Sequence, residues 1–417
     1  MSRLRAAIVV TGTELVRGDR TDRDGPFLAQ ELHRRGIEPA RVTIVGDAPE
    51  ELDAALREGL EADLCVVSGG LGPTHDDRTV EALARAAGVE LEVDASLARE
   101  IEKVSRTAAR RLGRPYEDFE PGVRKQASLP TGGVSLGLAG TAPGIVLDTG
   151  TCVAVLLPGP PGELRRLWAE ALVSEPVRKL LARVAAPKRW TLRFFGVSES
   201  AVARALEEAG GEEGGAEVTV CAREYEVHVD IVGEGEETAS ALRERLGEFL
   251  FAEDERSIAE IVLELCRAQR LRLGAAESCT GGLVGQRLTA VPGSSDVFAG
   301  SIVAYANDAK TRLLTVPDEA LERHGAVSAE VAAAMAHGAR AALGVDVAVS
   351  DTCIAGPGGA TADKPVGLAY LHASGPGGEL AQEFVARGER EDVRRRVAAS
   401  ALHLLRRLLT QSRSGSG

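Results

Sequence analysis

Four short clusters in the last third of the chain carry residues able to do chemistry. The sharpest is Ala276-Glu277-Ser278-Cys279-Thr280-Gly281-Gly282. A strand there delivers a Ser, a Cys and a Thr to a Gly-Gly turn at a helix start. Gly281 and Gly282 let a ligand approach the backbone, and the free N–H groups of a first helical turn favour an oxyanion or a phosphate. The same residues also suit a plain strand–turn–helix link whose hydroxyls cap the helix. The second cluster is Tyr305-Ala306-Asn307-Asp308-Ala309-Lys310. Asn307 or Asp308 can cap a helix whose first turn holds Lys310. A desolvated Lys becomes a general base, and with a Ser it forms a Ser–Lys pair in place of a Ser–His–Asp triad; a solvated Lys and an exposed Tyr are the plainer outcome. The third runs from Ser350 through Thr352 and Cys353 to Gly356 and Gly359, hydroxyls ending a buried strand before a glycine-rich loop with free N–H groups. The fourth is Gly388-Glu389-Arg390, whose Arg can pair with a phosphate or simply start a helix.

Composition limits what these clusters can serve. A length of 417 residues suggests two or three domains at roughly 100–200 residues each. The net charge of −13 and the 3% aromatic content argue against nucleic acid, which needs basic surface and stacking platforms. A small anionic substrate caught by a local Arg and backbone amides remains compatible. Cys65, Cys152, Cys221, Cys266, Cys279 and Cys353 are scattered with no zinc-like spacing, and most sit in apolar stretches, as reduced core thiols do. The N-terminal apolar run is too short for a signal sequence or a membrane span, so a cytoplasmic protein without membrane contact is expected.

The elements that must position the clusters alternate along the chain. Strands at 6–10, 41–47 and 63–70 alternate with helical segments, a βαβαβα rhythm implying an α/β fold with a parallel sheet covered on both faces. Ligands bind such sheets beyond the strands' carboxyl ends, where the loops 11–24, 46–47 and 69–77 fall. A smaller α+β unit is expected at 172–255, with a Gly/Glu loop at 210–217. The last domain opens near Ser257 with a helix, then a strand at 272–278, another within FAGSIVAYAND, a strand running into a glycine-rich loop over 345–359, a strand at 366–375 and a closing basic helix. The domains are therefore placed at 1–171, 172–255 and 256–410, followed by a disordered tail at 411–417.

The motifs together carry a resemblance. ESCTGGL, YANDAK, HGAVS (His324 to Ser328), IAGPGG with KPVG (Lys364 to Gly367) and GER, in this order over about 255–408, resemble the C-terminal domain of the CinA family, which also occurs alone as nicotinamide-mononucleotide deamidase. The resemblance implies metal-free, cofactor-free hydrolysis of nicotinamide mononucleotide to nicotinic acid mononucleotide and ammonia. It implies Ser278 as nucleophile, Lys310 as its base, Tyr305 and Thr352 as orienting or proton-relaying hydroxyls, and Arg390 as a substrate contact. Thr280, Gly281, Gly282 and Gly356 would line the substrate. Two departures stand out: Cys353 occupies a position where the family usually has Gly, and Cys279 adjoins the nucleophile as a rival for that role.

The N-terminal part resembles the family's molybdopterin-binding-like three-layer domain through GTELVRG, VGD, SGGLGPTHDDRT, RKQA, GTAPG and LPGPPGEL. That resemblance implies an ADP-ribose-type nucleotide site with pyrophosphatase activity in some members. Thr11, Glu14, Asp47, Gly69, Gly70, Gly72 and Asp77 would form it. Asp47 and Asp77 would hold a divalent metal such as Mg²⁺, with the glycines clearing space for phosphates. Asp24 replaces the usual Asn, Val123 the Asn common before RKQA, and Leu138-Ala139 the usual Asn-Pro, so binding without hydrolysis is the competing reading there. The middle region resembles the family's KH-like connector and is read as structural. The expected partners are pyridine nucleotides and a second copy of the chain. The rivals to a deamidase are a nucleotide-binding or competence-associated scaffold without turnover, and a molybdenum-cofactor-related enzyme, which leaves the C-terminal motifs unexplained.

Overall fold

The computed structural model describes residues 4–210 and 215–411, so part of the Gly/Glu loop (211–214) and the tail from 412 lie outside the described residues. The chain divides into two compact units, Met1–Pro187 and Lys188–Gly417.

The first unit is built on the strands β1 (Arg5–Thr11), β2 (Glu38–Val45) and β3 (Leu64–Ser68), a small antiparallel ladder of β4 (Leu91–Val93) with β5 (Ser128–Pro130), and the strands β6 (Val134–Ala139), β7 (Ala142–Asp148) and β8 (Val153–Leu157). The main sheet has the order β2-β1-β3-β8-β7-β6. Its first four strands run parallel, as the βαβ rhythm requires, while β7 and β6 return antiparallel. Alternation of side chains along each strand builds two cores. Ile8, Val66 and Val155 pack under the helices Asp24–Arg34 and Pro161–Val173. Val9, Val67 and Leu156 pack under Pro49–Gly59, Thr79–Ala87 and Ala95–Leu112.

The expected boundary after residue 171 falls too early. The next helix, Glu175–Leu181, places Val177 and Leu180 in the same core as Leu164, Leu167 and Trp168, which extends the first unit to Pro187. The regions expected at 172–255 and 256–410 keep hydrophobic cores of their own but are packed into one compact unit from Lys188 onward. Its smaller sheet, β10 (Ala216–Arg223), β11 (Glu226–Gly233), β9 (Arg189–Phe195) and β12 (Leu250–Ala252) in spatial order, is antiparallel throughout. It is joined to the closing helix Arg390–Gln411 by polar and ring contacts. Glu226 Oε1 lies 2.9 Å from His403 Nε2, Phe195 stacks on His403 at 3.7 Å, and the Tyr225 hydroxyl donates to the Asp392 carbonyl at 2.7 Å.

The larger sheet of this unit holds β13 (Leu273–Glu277), β14 (Phe298–Val303), β15 (Val347–Cys353), β16 (Leu368–Gly375) and β17 (Gly378–Val385), in the order β14-β13-β15-β16-β17. The first three strands are parallel and the last two antiparallel. Leu273, Ala275, Val347 and Val349 face the helices Ile258–Gln269 and Arg390–Gln411. Ala276 and Ala348 face Val331, Met335 and Ala339 of the helix Ala329–Leu343. The helix after Ser257 starts where expected, because Ser257 and Glu260 form a reciprocal capping box that satisfies two orphan N–H groups.

Candidate active site

β13, β14 and β15 end side by side, and the residues just past their ends form the site. Ala276 pairs with Ser350 across β13 and β15, and the Ala304 N–H donates to the Glu277 carbonyl at 2.8 Å. This register brings the Ser278 turn between residues 304–305 and the Asp351–Thr352 segment.

Two buried carboxylates organise the turn, and neither was singled out from the sequence. Glu277 accepts the N–H groups of Gly282 (2.8 Å), Val284 (3.1 Å) and Gly285 (2.8 Å), together with the Ser301 hydroxyl (2.6 Å). A carboxylate at a helix N-terminus satisfies orphan donors and meets the positive end of the dipole. The expectation that Gly282 offers its amide to substrate is therefore corrected: Glu277 takes it, while no acceptor among the described residues takes the Gly281 N–H. Asp351, 1% exposed, accepts the N–H groups of Ser278 (3.3 Å) and Thr280 (3.2 Å). The Thr280 hydroxyl lies 2.5 Å from Asp351 Oδ2 and 2.7 Å from Glu277 Oε2. Burial pushes the Asp351 carboxyl up to about 7, against its hydrogen bonds and with help from the nearby Glu277 charge. A proton on Asp351 completes a chain in which Asp351 donates to Thr280 and Thr280 donates to Glu277. Thr280, expected as a substrate contact, is fully buried in this chain.

Lys310 is 1% exposed, and its Nζ donates to the carbonyls of Ala304 (3.0 Å) and Tyr305 (3.2 Å). Burial pulls its pKa down, and the Asp351 charge opposes that pull. Its helix, Asn307–Leu314, is capped by Ala306 and not by Asn307 or Asp308. The expected direct Ser278–Lys310 hydrogen bond is not formed. A buried amine needs acceptors, and the two carbonyls just beyond the end of β14 have unused lone pairs. Those carbonyls accommodate the two hydrogens of a neutral amine and leave its lone pair to accept a third proton.

Arg390 ties three of the sequence clusters together: its Nη2 donates to the Tyr305 hydroxyl and its Nη1 to the Gly356 carbonyl, both at 2.6 Å. Gly356 thus contributes an acceptor oxygen. Thr352 is brought to the same edge, but its hydroxyl donates to the Ala326 carbonyl at 2.7 Å, so its proton anchors the HGAVS segment. Lys364 holds that segment from the other side through the His324 and Val327 carbonyls. Arg394 was missed from the sequence. It lies one helical turn beyond Arg390 and donates to the carbonyls of Cys279 (3.1 Å) and Thr280 (2.8 Å), fixing the Ser278 turn from outside.

The cysteine expectation is corrected for one pair. Cys279 and Cys353 form a disulfide, since each lies three residues beyond the paired Ala276 and Ser350. The bonded Cys279 sulfur is no nucleophile in this state. Cys65, Cys152 and Cys266 are buried free thiols, as expected, and Cys221 is free but exposed.

In the first unit, Thr11, Glu14, Asp47, Gly69, Gly70, Gly72 and Asp77 all line one cavity of about 840 Å³ at the carboxyl ends of β1 and β3. Two of these glycines also make room for neighbouring side chains. A Cβ on Gly70 would lie 2.1 Å from Thr79 Oγ1, and one on Gly72 would lie 2.4 Å from Asp77 Oδ2. Asp47 accepts from the Thr13 hydroxyl (2.6 Å) and Asp77 from the Thr74 hydroxyl (2.5 Å). Among the described residues neither Asp47 nor Asp77 belongs to a group of three metal-ligand side chains lying within 4.8 Å of one another. Asp24 lines the same cavity, 6% exposed. One oxygen accepts from Ser68 at 2.7 Å, the other has no partner, and burial raises its pKa. No helix among the described residues is long and apolar enough to cross a membrane.

Comparison with known proteins agrees with both halves. The family profile described as the CinA C-terminal domain matches residues 255–409, and that of a probable molybdopterin binding domain matches residues 7–179. A CinA-like protein of Mycolicibacterium paratuberculosis is 41% identical, covering 98% of this chain and 99% of its own. A CinA-like protein of Mycobacterium leprae is 40% identical, covering 98% of each. Among solved structures, the competence/damage inducible protein CihA from Agrobacterium tumefaciens is 38% identical over 38% of this chain and 99% of its own, with a TM-score of 0.36. Identity at this level over nearly the full length of both chains means that the protein belongs to the CinA family.

Proposed function

We propose that the second unit hydrolyses the carboxamide of nicotinamide mononucleotide to nicotinic acid mononucleotide and ammonia. The observation that carries this reading is a buried Lys310, its pKa lowered by burial and its hydrogens held by two carbonyls, next to the Ser278 turn. Ser278 Oγ attacks the amide carbon while the neutral Lys310 amine takes its proton, after Nζ swings from a carbonyl toward the hydroxyl. The oxyanion is met by the uncommitted Gly281 N–H. Collapse breaks the C–N bond, Lys310 returns the proton to the departing nitrogen, and ammonia leaves. Water then hydrolyses the acyl-Ser278 ester by the same proton route in reverse order. Arg390 and the Tyr305 hydroxyl it holds form the contact to the nucleotide's phosphate end. The first unit's cavity is read as the binding or cleavage site for an ADP-ribose-type nucleotide. Asp47 and Asp77 suit a Mg²⁺ ion that is held jointly with a ligand's phosphates, an arrangement Mg²⁺ commonly adopts. When bound, such an ion would neutralise diphosphate charge.

The test is ammonia release from nicotinamide mononucleotide by the wild type and by Ser278→Ala, with and without EDTA. Metal-independent turnover in the wild type and none in the variant is expected, with unchanged circular dichroism. Wild-type turnover in Ser278→Ala sinks the assignment.

A further inference from the structure

His337, His372 and Glu379 come from three different elements and meet at one point. His337 lies on the helix Ala329–Leu343, His372 on β16 and Glu379 on β17. His372 pairs with Ser350 across β15 and β16. The Ser350 hydroxyl donates to the Ala332 carbonyl of that helix, so this face of the sheet looks toward His337. Glu379 Oε1 lies 2.6 Å from His337 Nε2, and Glu379 Oε2 lies 3.1 Å from His372 Nε2. One ligand atom from each of the three side chains falls within 4.8 Å of the other two. The carboxylate is oriented from behind: Ser374 donates to Glu379 Oε1 at 3.3 Å, and Arg340 donates to Ser374 at 2.9 Å. The His372 side chain is 9% exposed, whereas those of His337 and Glu379 are 50% and 48% exposed, so one side of the cluster opens to water.

We propose that His337, His372 and Glu379 form a site for a divalent transition-metal ion, with Zn²⁺ the best match, that staples the helix Ala329–Leu343 to the β16–β17 hairpin. Two imidazole nitrogens and one carboxylate oxygen suit Zn²⁺ and not Mg²⁺ or Ca²⁺, which prefer all-oxygen shells. Zn–N and Zn–O distances of about 2.0–2.2 Å place tetrahedral ligand atoms roughly 3.3–3.5 Å apart. The shortest N···O separations, 2.6 Å from His337 to Oε1 and 3.1 Å from His372 to Oε2, reach that spacing by widening less than about 1 Å, and ligand atoms within 4.8 Å of one another reach it by closing at most about 1.5 Å. Water on the open side supplies the fourth ligand. The Ser374–Arg340 pair then acts as the outer partner that fixes the liganding carboxylate. This site plays no part in the Ser278 chemistry and stands whether or not that chemistry is right.

The experiment titrates ZnCl2 into the full chain, stripped with EDTA and desalted, and follows heat, zinc content after dialysis, and melting temperature. The wild type is expected to retain one more Zn²⁺ per chain than His337→Ala or Glu379→Gln, and to melt higher with zinc than without. Affinity should fall by at least the roughly 10–100-fold that loss of even an outer partner costs. Both variants change exposed side chains and leave the buried His372 in place, so folding is retained. Equal zinc content and equal affinity in the wild type and both variants overturns the proposal, as does a wild type that keeps no zinc.

Discussion

The substitution Asp351→Asn separates a neutral buried acid from an ionised one. The folded carboxyl titrates at about 7 against an ordinary value of 3.8. Between those values the folded state holds one proton more than the unfolded chain, so stability falls as pH rises through this window and levels off above pH 7. At about 1.36 kcal/mol per unit, a gap of about 3 units amounts to about 4 kcal/mol lost from this group between about pH 4 and pH 8. The substituted amide mimics the protonated acid. Its carbonyl oxygen can accept the Ser278 and Thr280 N–H groups, and its NH2 can donate to the Thr280 hydroxyl, as the acid proton does. The variant should therefore match the wild type near about pH 3, where the acid is protonated in both folded and unfolded chains, and exceed it by up to about 4 kcal/mol near pH 9, measured by urea unfolding at fixed ionic strength. A second readout follows from the opposing pulls on Lys310. Removing the Asp351 charge lets burial lower the Lys310 pKa further, so the acid limb of the pH–rate profile should move to lower pH. A stability difference that is the same at both ends of this pH range would refute the claim that Asp351 is held neutral by burial.

Three more outcomes are expected. Lys310→Met keeps the apolar stem but removes the base; ammonia release should fall by about 10²–10⁴-fold while the melting temperature moves little, because the lost carbonyl contacts and the relieved burial of an amine offset each other. Arg390→Ala frees Tyr305 and removes a cationic contact; KM should rise about 10–100-fold, the equivalent of about 1.5–3 kcal/mol for hydrogen bonds to a charged group, with kcat changed less, in steady-state assays. Peptide mapping without reductant should recover the Cys279 and Cys353 peptides as one linked species, separated by a thiol; two unlinked peptides in unreduced, alkylated protein would remove the covalent link between β13 and β15 from the site.

Much was legible in the sequence because it rests on local rules. The βαβ rhythm marked the parallel part of the first large sheet, glycines marked the turns, and the apolar spacing after Ser257 marked a helix start. The clusters around Ser278, Tyr305–Lys310, Thr352, Gly356 and Arg390 were also visible as motifs, since each occupies one strand end or helix entry. The partners of those clusters were not. That Glu277 closes the helix start ahead of Gly282, that Asp351 shares Thr280 with it, and that Lys310 turns to the Ala304 and Tyr305 carbonyls all depend on β13 lying between β14 and β15. Residues far apart in the chain, such as Thr280 and Asp351, become hydrogen-bonded only through that pairing. The Cys279–Cys353 bond follows from the same register. The edge strand β17 escaped notice because its apolar residues Leu380, Ala381, Phe384 and Val385 are split between both faces, half-buried on one and exposed on the other, yet it supplies Glu379 to the histidine cluster. Local periodicity and turn chemistry thus determined the elements and the candidate residues. Only the tertiary structure decided which amides, hydroxyls and amines were already taken, because hydrogen-bond satisfaction in a buried site is settled by long-range neighbours.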